Sequence, residues 1–112
     1  MQRRAVVAAL AGFGWGAAAS TRADELPSYS VVLRGGHIEP AALEVPAGRR
    51  IKLALRNAGP GPVEFENLEL RVEKVLAPGA SSFVVLAPLR PGRYRFADEF
   101  HPETGALDVV AK

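Results

Sequence analysis

Glycine and proline divide this chain into short runs that leave no room for a long helix after residue 27. The 112 residues include eleven glycines and nine prolines. Between them lie runs rich in β-branched and aromatic side chains, such as Ser28–Arg34 and Ser81–Ala87. No stretch of this part shows helical periodicity, and short runs bounded by glycine and proline are typical of strands. The sequence therefore predicts an all-β fold.

The run Arg49–Asn57 is the clearest strand, because Ile51, Leu53 and Leu55 alternate with polar or small residues. His37–Pro40 is predicted as a connection and Asn67–Leu70 as a single helical turn. Seven to eight strands with regular turn signals predict an antiparallel Greek-key β-sandwich. Besides Arg49–Asn57, strands are predicted at Ser28–Arg34, Ala41–Val45, Val63–Glu66, Arg71–Val75, Ser81–Ala87, Gly92–Ala97 and Gly105–Ala111.

The motif Pro-Gly-Arg-Tyr at Pro91–Tyr94 adds to this prediction. A tyrosine placed just after a turn between two sheets commonly donates its hydroxyl to a nearby backbone carbonyl, an arrangement called a tyrosine corner. We therefore expect Tyr94 to fix the chain where it crosses from one sheet to the other.

The N-terminus has the pattern of a secretory signal peptide. Gln2–Arg4 supplies positive charge, Ala5–Ala19 is an apolar run, and small residues up to Ala23 suit a cleavage site. The apolar run is short for a transmembrane span, although an uncleaved membrane anchor is the alternative. We predict a cleavable signal peptide over residues 1–23 and a single exported domain over residues 24–112 that does not insert into the membrane.

Charge and motifs exclude several classes of function. The formal charge of the full chain is +2, but removing Arg3, Arg4 and Arg22 leaves 11 basic residues against 12 acidic ones. No basic stripe carries interleaved aromatics, so nucleic acid is not an expected partner. The chain has no cysteine, no Gly-x-Ser-x-Gly elbow and no phosphate-binding glycine loop, which argues against a hydrolytic enzyme.

Four segments in order resemble the cupredoxin family over Ser28–Lys112. They are H-I-E-P-A-A-L-E-V-P-A-G, L-A-L-R-N-A-G-P-G-P-V-E-F-E, V-E-K-V-L-A-P-G and L-R-P-G-R-Y-R-F-A-D-E-F-H-P-E-T-G-A-L-D-V. Within the family, the chain is similar to the cysteine-free EfeO-type cupredoxin-like domains of periplasmic iron-uptake systems. The resemblance implies a Greek-key sandwich with a metal site at one end.

The resemblance also shows what has changed in the last hairpin. Tyr94 and Phe96 match the family pattern, Asp98 stands at the position of the copper-binding cysteine, and His101 stands at the histidine position. The only methionine is Met1, so the axial ligand is also missing. A type 1 copper site needs a thiolate. The resemblance therefore implies no type 1 copper.

What the resemblance implies instead is a site of carboxylates and one imidazole for an iron or copper ion. Such a protein would act in the periplasm with a ferrous-iron uptake system, beside an iron permease or a periplasmic iron-binding partner. Accessory oxidation of Fe(II) is the only catalytic activity it implies. The candidate ligands by position are Glu64, Glu66, Glu73, Glu99, His101 and Asp98.

Each candidate has a structural alternative. Glu64 and Glu66 alternate in an extended segment and point to the same side, which also fits a solvated strand face. Glu73 could pair with Lys74. Asp98 and Glu99 could serve turn chemistry, and His101 could be a plain surface histidine. The alternative function is a metal-free β-sandwich that binds only a protein partner.

Overall fold

The computed structural model describes residues 26–112, so the predicted signal peptide over residues 1–23 lies outside the described part. Within it, no helix is long and apolar enough to cross a membrane. The strands are β1 (Ser28–Arg34), β2 (His37–Glu39), β3 (Ala42–Val45), β4 (Ile51–Asn57), β5 (Val63–Asn67), β6 (Val72–Leu76), β7 (Ser81–Leu86), β8 (Gly92–Asp98) and β9 (Ala106–Ala111).

These strands form two sheets that pack as a sandwich, which confirms the predicted all-β class. The four-stranded sheet has the order β2-β1-β4-β7, and the five-stranded sheet has the order β3-β9-β8-β5-β6. Two details of the prediction were wrong. The sandwich has nine strands in the described residues, and it is not wholly antiparallel, because β1 pairs with β4 and β3 pairs with β9 in parallel.

The additional strand comes from the segment predicted as a connection. Gly35 and Gly36 both have positive φ values, 57° and 82°, which let the chain reverse tightly. His37 then pairs with Arg34, so His37–Glu39 forms a short antiparallel hairpin with β1. The parallel pairs arise because the chain crosses between the two sheets before it returns beside β1, and such pairs need a long connection rather than a hairpin.

The predicted helical turn at Asn67–Leu70 was also wrong. The Leu70 N–H donates to Asn67 Oδ1 at 2.7 Å, and the Arg71 N–H donates to the Leu68 carbonyl at 3.1 Å. Arg71 then takes a left-handed φ of 58°. The asparagine side chain bonds the backbone three residues further on and so replaces a helical hydrogen bond. The segment is therefore a turn between β5 and β6.

The core lies between the sheets and follows the alternation of each strand. Ile51, Leu53 and Leu55 are at most 2% exposed, as the period-two pattern predicted. The rings of Phe65 and Phe96 stack with centroids 5.0 Å apart and an interplanar angle of 11°. Burial of such apolar surface is the main stabilising contribution in a domain of this size.

The tyrosine corner is confirmed. The Tyr94 hydroxyl donates to the carbonyl of Arg90 at 2.7 Å. This bond fixes the start of β8 and therefore the direction in which the last hairpin leaves the sheet.

Candidate metal centre

Three connections meet at one end of the sandwich, which we call the hairpin pole. They are the β1–β2 turn (residues 35–36), the β4–β5 loop (residues 58–62) and the β8–β9 connection (residues 99–105). The Gly35 N–H donates to the Gly59 carbonyl at 2.9 Å, and the Thr104 hydroxyl donates to the Gly36 carbonyl. These bonds hold the three connections against one another.

Asp98, at the end of β8, is the centre of this pole. Its side chain is 1% exposed. Oδ1 accepts the backbone N–H of Glu64 at 3.1 Å and that of Phe100 at 3.0 Å. Oδ2 lies 2.9 Å from Nδ1 of His101, whose side chain is 46% exposed. Both oxygens are therefore used within the protein.

The backbone leaves little space around this pair. A Cβ atom at Gly105 would lie 2.8 Å from the Cβ of Asp98 and 3.1 Å from the carbonyl oxygens of Gly36 and His101. A Cβ at Gly36 would lie 3.0 Å from Cδ2 of the His101 ring. Since real Cβ atoms do not approach so closely, glycine at both positions allows the hairpin to pack over Asp98.

These residues do not fit a type 1 copper site. The chain has no thiolate, and the aspartate at the cysteine position is occupied by two backbone donors and one imidazole. Asp98 accepts the Phe100 N–H two residues further on, which stabilises a turn. This is the structural role given above as the alternative to metal binding by Asp98. The pole is thus closed by an aspartate–histidine pair.

A second group of candidates meets on the outer face of the five-stranded sheet. Glu66 on β5 lies directly opposite Glu73 on β6, and Glu64 is the next residue of β5 on the same face. One carboxylate oxygen from each of the three residues lies within 4.8 Å of the other two. Phe65, between the two β5 glutamates, is fully buried on the inner face. We call Glu64, Glu66 and Glu73 the carboxylate cluster.

Two members of the carboxylate cluster have raised pKa values. A side-chain hydrogen bond to Glu73, together with partial loss of hydration and the charges of Glu73, Glu66 and Glu99, raises the pKa of Glu64 to about 6. Partial loss of hydration and the charges of Glu99 and Glu73 also raise the pKa of Glu66. None of the ion pairs within residues 26–112 includes a member of the cluster. In particular, Glu73 has no ion pair with Lys74 there.

Five of the six predicted ligands therefore divide into two groups. Glu64, Glu66 and Glu73 form the carboxylate cluster, and Asp98 pairs with His101. Glu99 stands between the groups: its N–H donates to the Glu64 carbonyl at 2.8 Å, and its charge acts on Glu64 and Glu66. In the described part of the chain, no cluster of three ligand-bearing side chains includes the imidazole. The acids of the two regions therefore do not gather around His101 in the way that the resemblance implied.

One residue of the pole was missed from the sequence. Asn57 ends β4 and is fully buried, and its amide donates to the carbonyls of Gly61 and Leu76 at 2.9 and 3.0 Å. Its Oδ1 accepts the Gly59 N–H at 2.8 Å. The sequence pattern that could have identified Asn57 is an asparagine at an inward-facing strand position just before Ala-Gly-Pro-Gly-Pro. The backbone groups of such a loop need hydrogen-bond partners from outside the loop.

A family model described as a cupredoxin-like domain matches residues 5–109. The chain belongs to the cupredoxin-like domain family. An uncharacterised protein of Rickettsia prowazekii (strain Madrid E) is 33% identical over 87 residues, which cover 78% of this chain and 70% of that protein. This cupredoxin-like chain therefore has a relative of similar extent.

Two solved structures show the same fold at low identity. Auracyanin from Roseiflexus castenholzii has a TM-score of 0.61 at 12% identity and covers 76% of this chain and 96% of its own. The metal-binding domain of the Cu(I)-exporting P-type ATPase of Streptococcus pneumoniae D39 has a TM-score of 0.64 at 16% identity and covers 74% and 84%. At these identities the likeness establishes the fold, and fold alone does not establish function.

The pKa of Glu64 leads to a test of the cluster by stability. Because the folded pKa of about 6 lies above the ordinary value of 4.5, ionisation of Glu64 destabilises the folded state as pH rises from 4.5 through 6. We expect Glu64→Gln to raise Tm by a few degrees at pH 7.5 and by progressively less as pH falls towards 4.5. Glu69→Gln, in the exposed β5–β6 turn, is the control and should change Tm little at any pH. An equal gain for both variants would contradict the expectation.

Proposed function

We propose that this cupredoxin-like protein is exported to the periplasm and that its carboxylate cluster holds iron as the cargo of a ferrous-iron uptake system. The observation that carries the proposal is the cluster itself: three carboxylates within 4.8 Å of one another, with no ion pair in residues 26–112 to offset their charge. A cation would take the place of the proton shared with Glu73, which with loss of hydration and the neighbouring charges raises the pKa of Glu64. An iron permease or a periplasmic iron-binding protein is the partner proposed for delivery.

The donor set decides which ions fit the cluster. All three donors are anionic oxygens, which suit hard cations and offer no soft ligand for Cu(I). Such ligands stabilise Fe(III) relative to Fe(II) because the higher charge gains more from them. Bound iron would then have a lower reduction potential, so Fe(II) would lose one electron more readily to an external acceptor such as dioxygen. This supports the accessory Fe(II) oxidation that the family resemblance implies.

The test is a titration of the protein spanning residues 24–112 with Fe(II) under anaerobic conditions, and with Mn(II), Ca(II) and Cu(II) for comparison. We expect Fe(II) binding at pH 7 and weaker binding at pH 5, because protons compete with the ion at Glu64, whose pKa is about 6. Glu66→Gln combined with Glu73→Gln should lower the affinity by roughly tenfold or more, as loss of metal-site groups generally does.

Two matched variants separate the cluster from other sites. Glu103→Gln removes an acid from the β8–β9 connection, outside the cluster, and should leave binding unchanged. His101→Ala should also preserve Fe(II) affinity, because no ligand cluster in the described residues includes the imidazole. Binding that survives loss of Glu66 and Glu73 but not of His101 would move the site to the hairpin pole. No binding of any of these ions would favour the metal-free protein-interaction module.

A further inference from the structure

The end of the sandwich opposite the hairpin pole is built from three other connections. The β3–β4 turn meets the β7–β8 connection where the Gly48 N–H donates to the Leu89 carbonyl at 2.9 Å. The β5–β6 turn meets the same connection, because Leu70 and Arg71 line a cleft of about 290 Å³ together with residues 85–89. Four exposed arginines lie on these three connections, and we call this end the arginine pole: Arg49, Arg50, Arg71 and Arg90.

The charge of the arginine pole is not compensated within the described residues. None of the four arginines lies within 4 Å of a carboxylate there. Of the acids at this end, Glu44 is bound by Lys112 at 2.8 Å, and Glu69 is exposed in the β5–β6 turn. Four arginines less Glu69 leave an excess of three positive charges on these connections. The nearest members of the carboxylate cluster, Glu66 and Glu73, form the strand pair one step in from the β5–β6 turn.

An exposed apolar side chain accompanies these cations. Leu68 is 78% exposed, more than any other large apolar residue of the described chain. It lies in the β5–β6 turn, where the Arg71 N–H donates to its carbonyl. Arg71 lies in the same turn. An exposed apolar side chain near cations is a combination that interfacial membrane binding uses, because the apolar group enters the headgroup boundary while the cations meet the phosphates.

The chain also enters the sandwich at this pole. The Lys52 N–H donates to the Pro27 carbonyl at 2.8 Å, which fixes the residue before β1 beside the beginning of β4.

We propose that the arginine pole docks onto the anionic headgroups of a phospholipid membrane, with Leu68 in the interfacial layer. Lipid phosphates would provide the negatively charged partners that the four arginines do not have in the described chain. The proposal is independent of whether the carboxylate cluster binds metal.

The test uses the protein spanning residues 24–112, which contains all nine described strands and the buried core. Its 11 basic and 12 acidic residues give no net positive charge. Binding to anionic vesicles would therefore depend on where the positive charges lie on the surface and not on the total charge. We expect co-sedimentation with vesicles of phosphatidylcholine and ~30% phosphatidylglycerol at about 50 mM salt, weaker binding at higher salt, and none with phosphatidylcholine alone.

Two substitutions assign the binding to this pole. Since each arginine near an anionic surface contributes roughly a fivefold gain in partitioning, Arg49→Gln combined with Arg50→Gln should weaken binding by roughly 25-fold. The matched control is Arg93→Gln combined with Arg95→Gln, which removes the same charge from arginines that face Asp108, and it should retain binding.

In the mature chain Leu68→Trp introduces the only tryptophan, because Trp15 lies in the predicted signal peptide, and its emission should shift to the blue on anionic vesicles.

Failure to bind anionic vesicles at low salt would overturn the proposal and leave an acidic protein as the partner that the arginine pole fits. Equal losses in the Arg49/Arg50 and Arg93/Arg95 variants would also overturn it, because the attraction would then be general. An unshifted Leu68→Trp spectrum in vesicle-bound protein would exclude this pole as the contact surface.

Discussion

Replacing Asp98 with alanine should destabilise the metal-free protein by about 2–5 kcal/mol, because the buried carboxylate satisfies two backbone donors and each unsatisfied donor costs about 1–3 kcal/mol. The substitution leaves the backbone N–H groups of Glu64 and Phe100 without their acceptor, and His101 without its partner. Each unsatisfied buried donor is costly. Domains of this size typically have only about 5–15 kcal/mol of stability in total. The measurement is urea unfolding of residues 24–112 with a metal chelator present.

Two further aspartate variants make this result specific. Asp98→Asn keeps the shape and one acceptor oxygen, and its amide can donate to the ring of His101, so it should lose about half as much stability or less. Asp108→Ala removes an aspartate from the neighbouring strand β9, where its partners Arg93 and Arg95 are exposed. Exposed pairs contribute about 0–1 kcal/mol. If Asp98→Ala is no more harmful than Asp108→Ala, the aspartate–histidine pair does not hold the hairpin pole.

The bonds of Asp98 hold the hairpin pole together in a cupredoxin-like chain that has no cysteine. One buried side chain connects the backbone of β5, the β8–β9 connection and the imidazole of His101. The pole is thus organised by hydrogen bonds within the protein. Its stability is therefore separate from the metal binding that we propose for the carboxylate cluster on the outer face of the sheet.

Much of the fold was predictable because it depends on local patterns. The alternation in Arg49–Asn57 and the Pro-Gly-Arg-Tyr motif gave the buried face of β4 and the tyrosine corner, both of which the structure confirms. The strand at His37–Glu39 was missed because three residues carry too little periodicity. The parallel pairing of β1 with β4 depends on how the chain crosses between sheets, which no local pattern records.

The candidate site was predictable only in part for a similar reason. Period-two geometry placed Glu64 and Glu66 on one face, and the structure shows Glu73 opposite Glu66. The pairing of β5 with β6 turns three separate acids into a cluster, whereas the position of His101 depends on a hydrogen bond to Asp98 within the hairpin. Type of residue and spacing predicted which side chains carry chemistry, but tertiary packing determines which of them meet.

Asn57 is the second position where we expect a large effect, because it joins the β4–β5 loop to the end of β6. Asn57→Ala removes the bonds to the carbonyls of Gly61 and Leu76 and the acceptor for the Gly59 N–H. Three backbone groups then lack partners, one of them in a buried contact and two in part-buried contacts, and the expected loss is about 2–4 kcal/mol in urea unfolding. Backbone NMR resonances of residues 58–62 and 35–36 should also shift, since these loops contact each other through Gly35 and Gly59.

Asn67→Ala is the matched control, because Asn67 is also buried and its side chain bonds the Leu70 N–H and the Arg95 carbonyl away from the hairpin pole. It should lower stability without shifting resonances of the hairpin pole. Asn57→Asp is more informative: at pH 7 its carboxylate would face two carbonyl oxygens that need a donor, so it should be at least as destabilising as alanine. Burial next to these carbonyls would raise the carboxyl pKa in the folded state, and stability should therefore recover as pH falls below that pKa. A loss of stability that is independent of pH would mean that the carbonyls of Gly61 and Leu76 do not depend on the Asn57 amide.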